Sequence, residues 1–369
     1  MEERPTVELY NLDHGFNRPG SHRFGPYEFH ITQADVDAQS QLTRHGRTEF
    51  THDENHRRVV VRTDAVPGAI VKTATVSLVG NLPHAPNLLE AGVDDAGFGD
   101  LALLLSFLTG RQVLTPGMIT GTESSHYGER VVGGNYFLCN GTAWPQVDQI
   151  AAQGLTPALW AMVNSKRVRD LIGQMLYASS AFDAISTRWA KTGMPKRSSE
   201  AKKRINEVSR SIEAVLEESF VDRELISYKN KISSIFEVSA VHKTTEFLAS
   251  IGLVDLENDE AKKRVVHINR VRNMVVHEAN IPSDLHADKN RGMEIAVLIT
   301  VITQEITCLR LADVAGVSDH QVERSRAELR SFFDSGVFRG QRVFDETFEQ
   351  FSARLEDEWT TPQADRAEW

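Results

Sequence analysis

The sequence predicts an α+β multidomain protein in which a β-rich N-terminal domain precedes an all-α helical bundle. Short segments rich in β-branched residues, with turn residues between them, dominate residues 1–150. From about residue 155 the apolar residues recur with helical spacing instead. A chain of 369 residues is long enough for two domains, which we place at 1–150 and 155–337, followed by an acidic helix and tail at 338–369.

Three strands and one helix are expected in the N-terminal part. Each strand combines β-branched residues with flanking turn residues, and they lie at 27–31, 58–62 and 69–78. The helix, residues 100–108, is apolar on nearly every side and should be buried, with Gly110 ending it. Further turn residues then predict a hairpin-rich region that ends at residue 138: Pro116, Gly117, Gly121, Gly128, Gly133 and Gly134.

The remainder of the chain is predicted to be helical. A first long helix should cover residues 157–190, because its apolar residues keep a helical period throughout. A basic stretch follows, and Ser198 or Ser199 should cap the next helix. The later helices are expected at 200–220, 222–252, 259–279, 284–315, 320–333 and 344–359.

Composition narrows the class of protein. The chain contains only Cys139 and Cys308, which excludes a disulfide framework or a cysteine zinc site and suits a reducing cytoplasm. The first residues include no basic and apolar leader, so we expect no signal peptide and a cytoplasmic location. No apolar run approaches the length of a membrane span, and we expect no membrane partner.

Charge is distributed unevenly along the chain. The net charge of −10 is unfavourable for general affinity to nucleic acids. Residues 160–310, however, contain 23 Lys and Arg against 20 Asp and Glu, a net charge of +3, whereas the rest contains 18 against 31, a net charge of −13. The acidity therefore belongs to the two ends, and the middle of the chain is mildly basic.

The predicted helix at 259–279 has the most informative pattern. An apolar stripe should fix it in the core, formed by Ala261, Val265, Ile268, Val271 and Val275. The opposite face carries four polar residues: His267, Arg270, Asn273 and His277. At about 100° per residue, Arg270 lies about 20° from His277, Asn273 about 40° from it and Arg272 about 140° from it. A cationic, titratable patch is thus expected at the last turn.

This helix resembles the signature of the HEPN superfamily, in which an arginine is followed after four to six residues by a histidine. Arg272 has four residues before His277 and Arg270 has six, so both arginines fit. The dipeptide Arg272–Asn273 and the ending Val-Val-His-Glu favour Arg272. The run at 101–111 is similar to a stretch of ApeA-like two-domain HEPN proteins of bacteria. The run at 181–185 stands where relatives have an Ala-Leu-Glu-Ala-type run, and this alignment makes Asp183 the acidic residue that orients the arginine.

The resemblance implies a bundle at about residues 157–315 and cleavage of RNA by two copies of the chain without metal or cofactor. His277 would be the acid or base, because its ordinary pKa lies near neutral pH. Arg272 would hold the phosphate, with Arg270 as the reserve candidate and Asn273 as a polar positioner. A role in antiphage defence or toxin-type growth arrest follows, with a ligand or phage protein acting on the N-terminal domain. The alternatives are a non-catalytic HEPN module that binds RNA or a protein, and an ordinary surface pair that satisfies the last helical carbonyls.

Other polar clusters have more ordinary interpretations. The run from His52 to His56 invites a metal site, but it lies between strands and is predicted to be a solvated loop. Two basic clusters would contact an RNA backbone or form solvated helix faces, namely Lys196, Arg197, Lys202, Lys203 and Arg204, and Lys262, Lys263 and Arg264. The chain has no Walker loop, dinucleotide fingerprint or Gly-x-Ser-x-Gly elbow, which argues against nucleotide hydrolysis and α/β-hydrolase chemistry.

Overall fold

The computed structural model describes most of the residues of the chain. These are residues 4–45, 48–52, 58–62, 70–82, 84–86, 88–89, 96–120, 129–139, 144–168, 170–194, 198–219, 239–276, 285–286 and 288–345. Their fold is α+β, as predicted, with a small antiparallel sheet near the N-terminus followed by a helical region.

The main sheet has four antiparallel strands in the order β1-β6-β3-β2. Their bounds are β1 Thr6–Tyr10, β2 Gly20–Phe24, β3 Tyr27–Ile31 and β6 Lys72–Leu78. Alternate residues of β3 are buried, so its aromatic side chains Tyr27 and Phe29 enter the core. Gly25 begins the turn from β2 to β3 with φ 56°, and a Cβ there would lie 2.5 Å from Trp144 Cε3. The strands predicted at 27–31 and 69–78 are therefore confirmed, the second with a later start.

A second hairpin and a helix lie between β3 and β6. The hairpin pairs β4 Thr48–His52 with β5 Arg58–Arg62, which confirms the third predicted strand. The helix is α1 Gln33–His45, which the sequence prediction missed. Thr32 and Asp35 stabilise its start reciprocally, since Thr32 N donates to Asp35 Oδ2 at 2.9 Å and Asp35 N donates to Thr32 Oγ1 at 3.2 Å.

The next helix, α2 Phe98–Thr109, is buried at every residue, as its composition predicted. Gly110 ends it with φ 69° and donates its N–H to the carbonyl of Ser106. The hairpins predicted after it are absent from the described residues 110–120 and 129–139. Short helical pieces occur instead: the 3₁₀ turn Pro116–Met118, α3 Tyr136–Cys139 and α4 Val147–Ala152. Here the glycines mark changes of direction between buried residues such as Val132 and Tyr136.

Seven helices follow in the described part of the chain. They are α5 Thr156–Arg167, α6 Leu171–Thr192, α7 Ser199–Ser219, α8 Ala240–Ser250, α9 Asp259–Val276, α10 Lys289–Val314 and α11 His320–Ser335. A short hairpin, β7 Val337–Phe338 and β8 Gln341–Arg342, comes after them. The prediction of one helix over 157–190 is wrong. Val168 is extended, and Asp170 starts a new helix by accepting the N–H of Gly173 at 2.6 Å.

The predicted helix at 222–252 can be assessed only from residue 239, where Ser239 caps α8 by accepting the N–H of His242 at 3.1 Å. Most of the predicted helix at 344–359 lies outside the described residues.

Helix α10 is the centre of the helical region. It packs against α5, α6 and α11 and buries sixteen of its residues. By length and composition it is apolar enough to cross a membrane, so the expectation that no apolar stretch approaches a span is wrong for this helix. The most apolar 18 residues of this helix are 72% buried against the rest of the protein, and the central helix of a packed core has the same composition and burial.

The sheet and the helices share one continuous apolar core, which extends from Leu9 to Phe344. Hydrogen bonds cross between the two parts as well. Trp160 Nε1 of α5 donates to the carbonyl of Leu89 at 3.0 Å, and the N–H of Gly133 donates to Asp319 Oδ1 at 2.8 Å. The same carboxylate caps α11 through the N–H of Gln321 at 2.8 Å. These contacts fix the helical region, and the motif helix within it, relative to the sheet.

Candidate functional site

The motif helix α9 forms as its sequence predicts. Asn258 Oδ1 accepts the N–H of Ala261 at 3.1 Å and caps the helix. The whole predicted apolar stripe is buried: Ala261, Val265, Ile268, Val271 and Val275. The helix is described as far as Val276, so His277 lies outside the described residues and its position relative to the arginines stays a prediction.

One residue of the expected polar face is buried instead. His267 is 5% exposed, and its ring meets the ring of Phe344 edge-on with centroids 4.9 Å apart. The chain that follows the β7–β8 hairpin covers this side of α9, which the helical pattern alone could not show. The expectation that His267 shares an open face with Arg270 and Asn273 is therefore wrong.

Arg272 makes the central contact of the site. Its Nη1 lies 2.8 Å from Oδ1 of Asp183 on α6, and the two helices pack together there. Nη1 has no hydrogen-bond partner among the described residues, so the contact is an ion pair. Arg272 is 6% exposed, whereas the side chain of Asp183 is 48% exposed. The structure thus brings Asp183 to Arg272, as the alignment of residues 181–185 predicted.

The ring of Phe182 packs against the guanidinium of Arg272. The Cζ of Arg272 lies 5.8 Å from the ring centroid of Phe182, which is a distance at which a cation is attracted to the ring face. Phe182 in turn meets Phe247 of α8 edge-on, with centroids 6.1 Å apart. The buried rings of Phe182 and Phe247 and the carboxylate of Asp183 therefore set the position of the guanidinium.

The guanidinium retains hydrogen-bonding capacity. Nε and Nη1 of Arg272 are buried without a hydrogen-bond partner among the described residues. Buried donors that lack an acceptor are costly, so a protein that keeps one commonly uses it. An oxygen-rich anion that entered beside Asp183 would match this geometry, because guanidinium groups bind phosphate oxygens with fixed N–H directions.

The other two motif residues point elsewhere. Arg270 is half-buried and Asn273 is exposed. Two residues of an α-helix correspond to about 200°, so Arg270 and Arg272 lie on nearly opposite sides of α9. The structure therefore brings together Arg272 and Asp183, and it does not bring Arg270 to the same place.

The basic clusters are only partly available to a ligand. Lys202, Lys203 and Arg204 are exposed on α7, while Lys196 and Arg197 lie outside the described residues. Arg264 has a structural role, since its Nη1 donates to the carbonyl of Phe333 near the end of α11 at 2.7 Å. The run at 52–56 lies outside the described residues after His52, and no group of three metal-ligating side chains occurs among those the structure describes.

A second polar cluster was not predicted. Arg339, in the β7–β8 turn, forms ion pairs with three carboxylates from distant parts of the chain: Glu129, Glu305 and Glu328. Ser325 Oγ donates to Glu305 Oε2 at 2.7 Å, and Lys166 Nζ donates to the carbonyl of Glu129 at 2.6 Å. No local pattern announces such a cluster, because only folding brings its members together.

Burial and charge shift the two central carboxyl groups of this cluster in opposite directions. Burial, with Glu129 nearby, raises the pKa of Glu305 to about 8 although Arg339 opposes the shift. Burial alone would raise the pKa of Glu129 as well, but the hydrogen bonds and charge of Arg339 lower it below its usual value. One negative charge is thus favoured at the pair, and the cluster joins the segment at residue 129 to α10 and α11.

No protein-family model, curated protein or solved structure matches this chain. The geometry at Arg272 and the sequence pattern around it therefore carry the functional argument.

Proposed function

We propose that this protein is a metal-independent endoribonuclease of the HEPN type, whose active site is completed by two copies of the chain. The observation that supports the proposal most is the contact between Arg272 and Asp183. A carboxylate on one long helix meets the motif arginine on another, at the position that the resemblance assigned to it.

The chemistry requires a base, an acid and a cation. A base removes the proton of the 2′-hydroxyl, whose oxygen attacks the phosphorus, while an acid protonates the leaving 5′-oxygen. His277 is our candidate for proton transfer, because histidine titrates near neutral pH. Arg272 would offset the charge that develops on the phosphate, and Asn273 would help to position the RNA.

Asp183 would act as a positioning residue. It holds the guanidinium of Arg272 in one orientation over Phe182, and its own side chain is open to solvent on one side. A phosphate could approach from that side and use the unsatisfied N–H groups of Arg272. Arg270 remains the reserve candidate for the phosphate clamp, because it is less buried than Arg272.

The cellular role follows from the same resemblance. We infer a cytoplasmic enzyme that arrests growth or limits phage infection by cutting RNA, with the N-terminal part sensing an activating ligand or a phage protein. The continuous core between the sheet and the helices offers a physical route for such a signal.

The test is cleavage of total cellular RNA by the purified protein in EDTA, beside Arg272→Ala, His277→Ala and the double variant. We expect loss of RNA integrity with the wild type alone. Arg270→Ala distinguishes the two clamp candidates, since it should retain activity if Arg272 is the clamp. A His277→Ala protein that cleaves as well as the wild type would refute the assignment of cleavage to the HEPN motif. If RNA stays intact throughout, induced expression in cells tests whether growth arrest depends on the same residues in the presence of an activator.

A second candidate is a non-catalytic HEPN module that binds RNA or a partner protein. The deep burial of Arg272 and its ion pair favour this alternative, since a structural pair needs no access to substrate. It predicts RNA binding that weakens with salt, measured by fluorescence anisotropy, without cleavage under any condition. Cleavage that depends on His277 would exclude it.

A further inference from the structure

Helix α7 presents an apolar face that the described protein does not bury. Along Ser199–Ser219 no residue is buried: Val208 and Val215 are 48% and 61% exposed, and Ala201, Ile205 and Ile212 are half-buried. A shallow groove runs along this face, lined by Glu207, Val208, Ser211, Ile212 and Val215. Exposed apolar residues in a contiguous row commonly mark a surface for association.

The spacing of this face is that of a coiled coil. Its members are Ala201, Ile205, Val208, Ile212 and Val215, at successive intervals of four, three, four and three residues. Such spacing places one apolar seam along a helix, and the seam fits a second helix with the same repeat. A single helix of 21 residues, about 31 Å long, carries the whole pattern.

The pattern is symmetric about Arg210. Ile205 and Val215 lie five residues on either side of it, and Val208 and Ile212 lie two residues on either side. Two copies of α7 in antiparallel orientation would therefore place Ile205 against Val215 of the partner subunit and Val208 against Ile212 of the partner subunit. A two-fold axis perpendicular to the helices at the level of Arg210 would relate the two copies, so each of these two contacts would occur twice. This is the geometry of a closed dimer.

Charge favours the same orientation. The first half of α7 contains Lys202, Lys203 and Arg204 beside Glu200 and Glu207, a net charge of +1, whereas the second half contains Glu213, Glu217 and Glu218 without a cation, a net charge of −3. Arg204 and Glu218 lie two heptads apart and therefore flank the seam on the same side. An antiparallel pair brings Arg204 beside Glu218 of the partner subunit on both sides of the axis. A parallel pair would instead place like charges together at both ends.

We propose that two copies of this chain associate through α7, which pairs with itself in antiparallel orientation about Arg210. The occupant of the exposed face is thus a second copy of the same helix. This association is argued from the sequence and exposure of α7 alone. It does not itself depend on RNA cleavage, so its test uses mass and affinity alone.

The first experiment measures the molar mass and dimer dissociation constant of the full chain by sedimentation. Val208→Glu/Val215→Glu should raise the dissociation constant at least about a hundredfold, because apolar contacts are lost and four carboxylates enter the seam. Asn206→Glu/Ala214→Glu is the matched control. It adds the same charges to exposed positions on the outer side of α7 and should retain the dimer. Circular dichroism checks that both variants keep their helix content.

The second experiment tests the register. Arg204→Glu alone and Glu218→Arg alone should each weaken self-association about tenfold, because two attractive pairs become repulsive. An equal mixture of the two variants should form a dimer of wild-type affinity, since each helix then meets its complement. A monomeric wild type, a dimer unaffected by Val208→Glu/Val215→Glu, or a mixture no tighter than its components would each overturn the proposal.

Discussion

Replacing Asp183 by alanine should destabilise the protein through the charge it leaves behind on Arg272. Arg272 is 6% exposed, and Oδ1 of Asp183 lies 2.8 Å from its Nη1. Removing one partner of a fully buried ion pair costs about 3–5 kcal/mol. Because the side chain of Asp183 is 48% exposed, solvent screens the pair, and we expect a loss of about 1–3 kcal/mol.

A double-mutant cycle isolates this contact. Arg272→Met removes the charge but keeps an unbranched side chain over Phe182, so its own cost should be modest. In that background Asp183→Ala should change the free energy of unfolding by less than about 0.5 kcal/mol. The coupling energy between the two positions is then about 1–3 kcal/mol, which is measurable by urea unfolding followed by circular dichroism.

The matched control is Glu200→Ala, which removes the carboxylate of an exposed pair with Arg204 at 2.7 Å on α7. Surface pairs of this kind contribute little, so the variant should stay within about 0.5 kcal/mol of the wild type. The reasoning is refuted if Asp183→Ala is equally harmless, or if it costs the same whether residue 272 is arginine or methionine.

Three further predictions concern the core and its titrating groups. Glu305→Gln should flatten the pH dependence of stability between about pH 4.5 and 8. In that range the folded wild type binds one proton more than the unfolded chain and therefore loses stability as pH rises. Thermal unfolding midpoints measured across that range provide the check. His14 accepts the N–H of Phe16 through Nδ1, and burial lowers its pKa to about 4. Stability should therefore fall as pH drops from 6.5 towards 4. His14→Asn should remove that fall in acid titrations. Gly25→Ala should cost about 2 kcal/mol or more in chemical unfolding, because its φ is 56° and its new methyl group would meet Trp144; an unchanged midpoint would contradict this.

The sequence alone was sufficient to predict those elements whose burial follows from their own pattern of apolar residues. The stripe of α9 and the apolar helix α2 were predicted from spacing and composition alone, because their period matches the face that packs. A signal for α1 was present as well, since Thr32 and Asp35 are correctly spaced to cap a helix. Its polar composition concealed it.

The remaining features depend on a local helix break or on contacts between distant residues. Asp170 starts a new helix within the predicted helix at 157–190 by accepting the N–H of Gly173, although the apolar residues keep a helical period across the break. His267 is covered by Phe344, which is 77 residues away in the sequence. Arg272 was predicted on the flank of α9, about 140° from His277, and only the packing of α6 against α9 shows that Asp183 lies beside it.

The continuity of the core limits how this protein can evolve by recombination. A foreign segment that replaced residues 1–150 would have to offer a carbonyl to Trp160, an amide to Asp319 and a carboxylate to Arg339, each at the original position. We therefore expect a substitution at one of these contacts to require a compensating substitution on the other side of the boundary. Changes in surface loops are easier to accommodate in this architecture than exchange of the whole N-terminal part.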